Sequence, residues 1–222
     1  MSSLRVSYQT IEFGNNDVHL RTLRDKQEFL DADGIAEKLG ISSAQWSLFG
    51  VVWPSSEVLA HLMSDFAIKD KRILEIGCGI GLTSLRLNQR NADITATDYH
   101  PEVENFLEQN TALNKGETIP FVRTGWDDEL TALGEFDLIL GSDLLYEDEH
   151  ADLLSRFIDQ HSKADCEVII VDPGRGRHAR FSKMMVKLGY AHSQSQPAET
   201  KYLMDKFKGQ ILRYHRQNNA AK

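Results

Sequence analysis

The 222-residue chain has little cysteine, no basic block and no long apolar run. Its two cysteines, Cys78 and Cys166, do not stand at a metal-ligand spacing. A disulfide-dense secreted scaffold is therefore excluded; two thiols in apolar surroundings suit a reducing compartment, with a single bridge left open. The eight histidines form no His-x-x-x-His pattern and no Cys/His cluster, so no metal is expected. Lys and Arg number 25 against 33 Asp and Glu, a formal net charge of -8. With no basic block to replace counterions along a phosphate backbone, a nucleic-acid partner is not expected. No apolar stretch is long enough to span a bilayer and no signal peptide is apparent, so no membrane partner is expected and the expected location is cytoplasmic. Internal repeats and low-complexity linkers are also missing. One α/β domain with an N-terminal addition accounts for the length.

What the chain does have is a strand–helix rhythm. Residues 1–45 read as an N-terminal extension. Val6, Tyr8, Ile11 and Phe13 suggest a strand, Asn15 and Asn16 a turn, and Val18–Leu23 a hairpin partner. A short helix over Asp31–Leu39 is stopped by Gly40. Residues 46–222 read as the main domain. Pro54 opens a helix with Val58, Leu59, Leu62 and Phe66 at helical spacing. Strands are expected at Arg72–Ile76, Ile94–Thr97, Ile119–Val122, Phe136–Leu140 and Glu167–Val171. Helices are expected from Pro101, over Glu147–Ile158 and over Arg177–Leu188. The nearly continuous apolar run at Glu167–Val171 suits a parallel strand buried on both faces. On the last helix, Met184 and Met185 read as core filling. After Gly189, Tyr190–Gln196 and Gly209–Tyr214 form two strands with no helix between them, an antiparallel edge.

Ligands of open α/β sheets sit beyond the carboxyl ends of the strands. The first central strand ends in Glu75-Ile76-Gly77-Cys78-Gly79-Ile80-Gly81. The G-x-G-x-G spacing departs from the dinucleotide G-x-G-x-x-G, and the P-loop Lys and Ser/Thr are missing. Glu75, just before the glycines, would repel a pyrophosphate and suit a cationic ligand. The second strand ends in Asp98, about 20 residues further on, at the position of a ribose-diol acceptor. S-adenosylmethionine carries an ammonium, a sulfonium and a ribose, so these residues favour a methyl donor over a dinucleotide. The fourth strand ends in Ser142-Asp143-Leu144-Leu145-Tyr146 and the fifth in Asp172-Pro173-Gly174-Arg175. An Asp172–Arg175 ion pair would shape the rim there. Arg175, Arg177, His178 and Arg180 form a small basic cluster that could guide an acidic protein surface or simply be solvated. Cys78 sits between two glycines for lack of space rather than as a nucleophile.

On these motifs the chain resembles the seven-strand S-adenosylmethionine-dependent methyltransferases. More narrowly, it resembles the protein lysine methyltransferase group with an acid-x-x-aromatic motif after the fourth strand, here Asp143-Leu144-Leu145-Tyr146. Phe49–Ser56 is similar to that group's Gly-x-x-Trp segment and Trp126-Asp127 to its adenine-side motif. Asp172-Pro173-Gly174-Arg175 is similar to the version in the branch acting on electron-transfer flavoprotein beta subunit. The resemblance implies a Rossmann-like, seven-stranded, mostly parallel sheet with an antiparallel C-terminal edge and helices on both faces. It implies S-adenosyl-L-methionine as cofactor and a protein partner presenting a lysine. Cofactor contacts are then expected at Trp53, Glu75, Gly77, Gly79, Gly81, Asp98, Tyr99, Trp126, Asp127 and Ser142. Asp143 and Tyr146 are the expected catalytic pair. Methylation of a small-molecule amine, or a non-catalytic binding module on the same fold, are the alternatives.

Overall fold

The structure is a computed structural model describing residues 4–29, 31–128, 131–146 and 150–216. Two strands, β1 (Val6–Ile11) and β2 (Val18–Leu23), pair as an antiparallel hairpin, with Val6 opposite Leu23. The short helix α1 (Ile35–Lys38) follows. It is shorter than its pattern predicts because Asp31 stays outside: its two carboxylate oxygens accept the Ile35 and Glu37 N–H groups at 2.9 and 2.8 Å. A 3-10 turn over Leu48–Gly50 leads to α2 (Pro54–Asp65), with Pro at its first position.

The remaining elements alternate: β3 (Arg72–Ile76), α3 (Leu82–Asn88), β4 (Asp93–Asp98), α4 (Val103–Leu113), β5 (Phe121–Arg123), β6 (Phe136–Ser142), α5 (His150–His161), β7 (Ser162–Asp172), α6 (His178–Lys187), β8 (Ala191–Ser195) and β9 (Gln210–Arg216). The helix expected from Glu147 begins, within the described residues, at His150; residues 147–149 lie outside them. Strand β7 extends five residues earlier than its apolar run, back to Ser162.

Strands β3 to β9 form one sheet in the order β5-β4-β3-β6-β7-β9-β8. The first five are parallel; β9 runs antiparallel to both β7 and β8. The C-terminal pair is therefore not a simple hairpin edge. The last strand inserts between β7 and β8, and a long connection, residues 196–209, returns the chain.

Alternation along the strands divides the core into two layers. Ile73, Leu138, Leu140, Ile169 and Val171 face Val58, Leu59 and Met63 of α2, Leu85 of α3 and Phe106 and Leu107 of α4. Leu74, Ile76, Ile139, Val168 and Ile170 face Leu154, Phe157 and Ile158 of α5 and Phe181 and Met185 of α6. Helices on both faces explain why these strands read as unbroken apolar runs. The hairpin adds Val18, Leu20 and Leu23 to the first layer. Asn110 of α4, fully buried, fixes it there: its Oδ1 accepts the Arg21 N–H at 2.6 Å, and its Nδ2 donates to the Ile80 carbonyl at 3.1 Å.

Candidate cofactor and acceptor site

Parallel strands place the ends of β3, β4, β6 and β7 along one edge. Gly77, Gly79 and Gly81 follow β3 with φ of 60, 53 and 80°. Gly79 has a second requirement: a Cβ there would stand 3.0 Å from the Phe49 carbonyl oxygen. The segment before α2 thus lies directly over the glycine turn. Gly81 is the N-cap of α3.

Asp98, at the end of β4, accepts the Gly79 N–H at 2.9 Å with one oxygen and the His100 N–H at 2.9 Å with the other. It is partly buried, and burial pushes its carboxyl pKa up against the lowering effect of these N–H groups. Tyr99 beside it is 41% exposed and donates its hydroxyl to the Leu39 carbonyl at 2.8 Å. A Cβ on Gly125 would meet the Asp127 Oδ1 at 2.7 Å and the Tyr99 ring at 3.5 Å, so Tyr99 and Asp127 converge at one point. Trp126 is partly buried and meets His150 edge-to-face at 5.0 Å. These residues line the ends of β4 and β5 as a flat aromatic and acidic flank.

Glu75 is placed differently from the open cationic-ligand contact its sequence position suggests. It is 2% exposed, and its Oε2 accepts both the N–H, at 2.8 Å, and the hydroxyl of Ser84 in α3. Its carboxylate holds the first turn of that helix, where the dipole favours an acid. Burial raises its pKa to about 7, against the lowering hydrogen bonds of Ser84. Cys78 is buried and its thiol is pushed well up by burial and by Asp98 and Glu75, so it stays neutral. Trp53, partly buried at the N-cap of α2, donates Nε1 to the Leu48 carbonyl at 2.9 Å, with the Lys26 ammonium 4.1 Å over its ring.

At the end of β6, Ser142 pairs with Val171. Leu144 and Leu145 then turn inward, 4% and 1% exposed. Leu144 lies 2.5 Å from where a Cβ would stand on either Gly77 or Gly141, wedged between the ends of β3 and β6. This buried pair leaves Asp143 and Tyr146 at the rim, Asp143 in the left-handed region with φ 53°. The expected Asp172–Arg175 pair does not form. Arg175 instead clasps Asp143, Nε to Oδ1 at 2.9 Å and Nη2 to Oδ2 at 2.8 Å. Asp172 is 1% exposed beneath the loop, accepts the Gly174 N–H at 2.8 Å and stands 3.6 Å from the His178 Nδ1. Of the two carboxylates, it is Asp143 that offers both oxygens to the guanidinium fork.

Sequence reasoning did not single out Asn110, His100, His150 or Asp128. Asp128 accepts the Gly125 N–H at 2.7 Å and the Thr124 hydroxyl at 2.8 Å, which shapes the flank loop. Asn110 carried a signal: with Asn114 it places two poor helix formers four residues apart on one helix face. His100 carried none, since its burial comes from the distant Phe29 and Phe49.

Residues 36–188 match the model of a family described as lysine methyltransferase. The chain belongs to this family. It is 30% identical over 157 residues to the protein N-lysine methyltransferase METTL21A of Danio rerio, covering 66% of this chain and 71% of that protein. It is 28% identical over 145 residues to the electron transfer flavoprotein beta subunit lysine methyltransferase of Rattus norvegicus, covering 64% of this chain and 55% of that one. The fold superposes on the magnesium protoporphyrin IX methyltransferase ChlM from Synechocystis with bound SAM, with a TM-score of 0.58 at 19% identity over 73% of this chain and 78% of that one. The chain is thus an S-adenosylmethionine-dependent methyltransferase. Its edge has the chemistry such a cofactor needs: a glycine turn tight enough to exclude a Cβ at Gly79, the Asp98 carboxylate on the Gly79 N–H, and Tyr99 converging with Asp127 beside Gly125. No group of metal-ligating side chains lies among the described residues, and none of the described helices is long and apolar enough to cross a membrane.

Proposed function

We propose that the protein transfers a methyl group to a lysine side chain of another protein, with Asp143 and Tyr146 receiving the amine. The observation carrying this is that Asp143 already holds a cationic N–H donor, the Arg175 guanidinium, at the edge beside the glycine turn. A carboxylate that accepts two N–H bonds from a cation is suited to a lysine ammonium. The bound cofactor supplies an electrophilic methyl on a sulfonium. The residues of this chain then have to orient an amine and take it out of water. The ammonium first gives up a proton to water at the open rim, since only the neutral amine has a lone pair for the methyl; Asp143 accepts hydrogen bonds from that nitrogen and fixes its direction. The Tyr146 ring presents a π-face that favours a cationic nitrogen. Asp98 is assigned to the ribose hydroxyls; Tyr99, Trp126 and Asp127 to the adenine; Trp53, Gly77, Gly79, Gly81 and Ser142 to the cofactor's surroundings. Glu75 acts one step back, through α3.

The relatives named for protein lysine methylation support a protein acceptor. So does an open rim: the Tyr146 residue is 37% exposed and the Arg175 side chain 46%. A small amine would favour an enclosed pocket. A cytoplasmic location is consistent with two buried free thiols. The test separates binding from turnover. Asp143→Asn is expected to bind S-adenosylmethionine by calorimetry with unchanged affinity, while methyl transfer from labelled donor to lysate proteins falls by about 10²-fold or more. Full turnover by this variant would remove Asp143 from the role.

A further inference from the structure

The Arg175–Asp143 pair raises a question of charge. Both oxygens of Asp143 are taken by Arg175, and the Asp143 side chain is only 11% exposed behind it. A lysine ammonium seeking Asp143 meets a guanidinium of its own sign, already seated. Each oxygen keeps a further lone pair, but a lysine there stands against the guanidinium's like charge, so close binding to Asp143 favours movement of Arg175 away from it. The displaced guanidinium then loses its two hydrogen bonds to Asp143, a cost that falls on every acceptor.

The loop carrying Arg175 is built to let it move. Arg175 stands between Gly174 and Gly176, with φ of 93 and 84°. The loop is tied on both sides: the Gly174 N–H donates to Asp172, and Arg177 Nη1 donates to the Tyr146 carbonyl at 2.6 Å. Arg175 can therefore leave Asp143 by its own side-chain rotation while the loop keeps its place beside Tyr146. With nearly half of its side chain exposed, it would swing toward solvent and toward whatever protein covers the rim.

Resting on the protein-lysine reading above, we propose that Arg175 is a specificity-determining latch that selects lysines with a neighbouring acidic residue. An acceptor carrying a carboxylate close to the lysine receives the displaced guanidinium, so the ion pair is exchanged rather than lost. The lysine takes Asp143, and the acceptor's acid takes Arg175. Free amines and lysines in neutral or basic surroundings offer no such exchange. Arg175 is a positioning residue in this scheme, and its effect lies in acceptor choice rather than in cofactor binding.

The test uses the full chain, labelled S-adenosylmethionine and two synthetic peptides. Each has one central lysine and is otherwise identical, with Glu on both sides of it in one and Gln in the other; free lysine serves as a third acceptor. Wild type is expected to favour the Glu peptide by roughly tenfold in kcat/KM, chiefly through KM, a difference of about 1.4 kcal/mol. Arg175→Ala should bring that ratio to within about twofold while its calorimetric affinity for S-adenosylmethionine is unchanged, and Arg175→Lys should restore part of the preference. Equal preference in wild type and Arg175→Ala, or no preference in wild type, overturns the latch and leaves protein lysine methylation standing. Turnover of free lysine but of neither peptide by wild type overturns the protein-lysine reading and the latch with it.

Discussion

Glu75 shows how burial redirects a charged side chain. Its carboxylate gains two Ser84 donors and loses water, and burial dominates, raising its pKa from 4.5 to about 7. Between these values the folded protein keeps a proton that the unfolded chain releases. Stability from this group therefore falls as pH rises from about 4.5 through 7, by up to about 3 kcal/mol at 1.36 kcal/mol per unit. Glu75→Gln keeps an acceptor for Ser84 and removes the titration. Thermal unfolding followed from pH 5 to 8 is expected to give a flatter profile for Glu75→Gln than for wild type. Parallel profiles would show that Glu75 does not titrate in this window. The sequence shows an acid before the glycines but not which way it faces; that depends on α3 starting close enough for Ser84 to reach it. The same limit hid the partner of Arg175. Asp143 and Asp172 end adjacent strands, and only their different depths decide between them.

At the scale of elements, the segment before α2 is held by Phe49, which packs on His100, Phe29 and Phe106. His100, 5% exposed, stacks on Phe49 at 4.0 Å and meets Phe29 edge-on at 5.1 Å. Burial lowers its pKa from 6.5 to about 4, partly offset by Asp31. Here the unfolded chain gains its proton first as pH falls, so this contribution is whole above about 6.5 and is lost on the way down to 4. After correction for the slower intrinsic exchange at low pH, the protection of residues 41–53 is expected to fall from pH 7 to pH 5. His100→Phe, which keeps a ring and cannot titrate, should retain protection at pH 5. An unchanged difference in His100→Phe would assign the loosening elsewhere. Most elements were legible from periodicity: the hairpin, α2 from Pro54, and the central strands within a few residues of their observed ends. The order of β8 and β9 was not, because strand order depends on long-range pairing that no local pattern encodes.

For the whole molecule, cofactor binding and stability are one measurement. A ligand that binds only the folded state stabilises it by about 2.7 kcal/mol at a hundred times its Kd. For a domain of this size that corresponds to roughly 5–10 °C in Tm. S-adenosylmethionine is expected to raise the Tm by this amount, and Asp98→Asn to erase most of the rise at the same concentration. A full rise in Asp98→Asn would remove Asp98 from the ribose contact. The general methyltransferase fold and its cofactor were readable because glycines and acids recur at strand ends. The acceptor side proposed at Asp143 was less so, since that rim combines loops from β6 and β7 with the start of α6.

The placement of β9 has a consequence for the birth of the protein. The five parallel strands are complete once Asp172 has been made, yet the outer edge of β7 is covered only when Gln210–Arg216 arrives. Until then β8 also has no neighbour among the described strands. On the ribosome the nascent chain therefore carries an open, apolar sheet edge through the synthesis of some 40 further residues, an aggregation hazard for as long as it lasts. Closing that edge from within, by the last of the described strands, means that the seven-stranded sheet cannot be finished piecemeal.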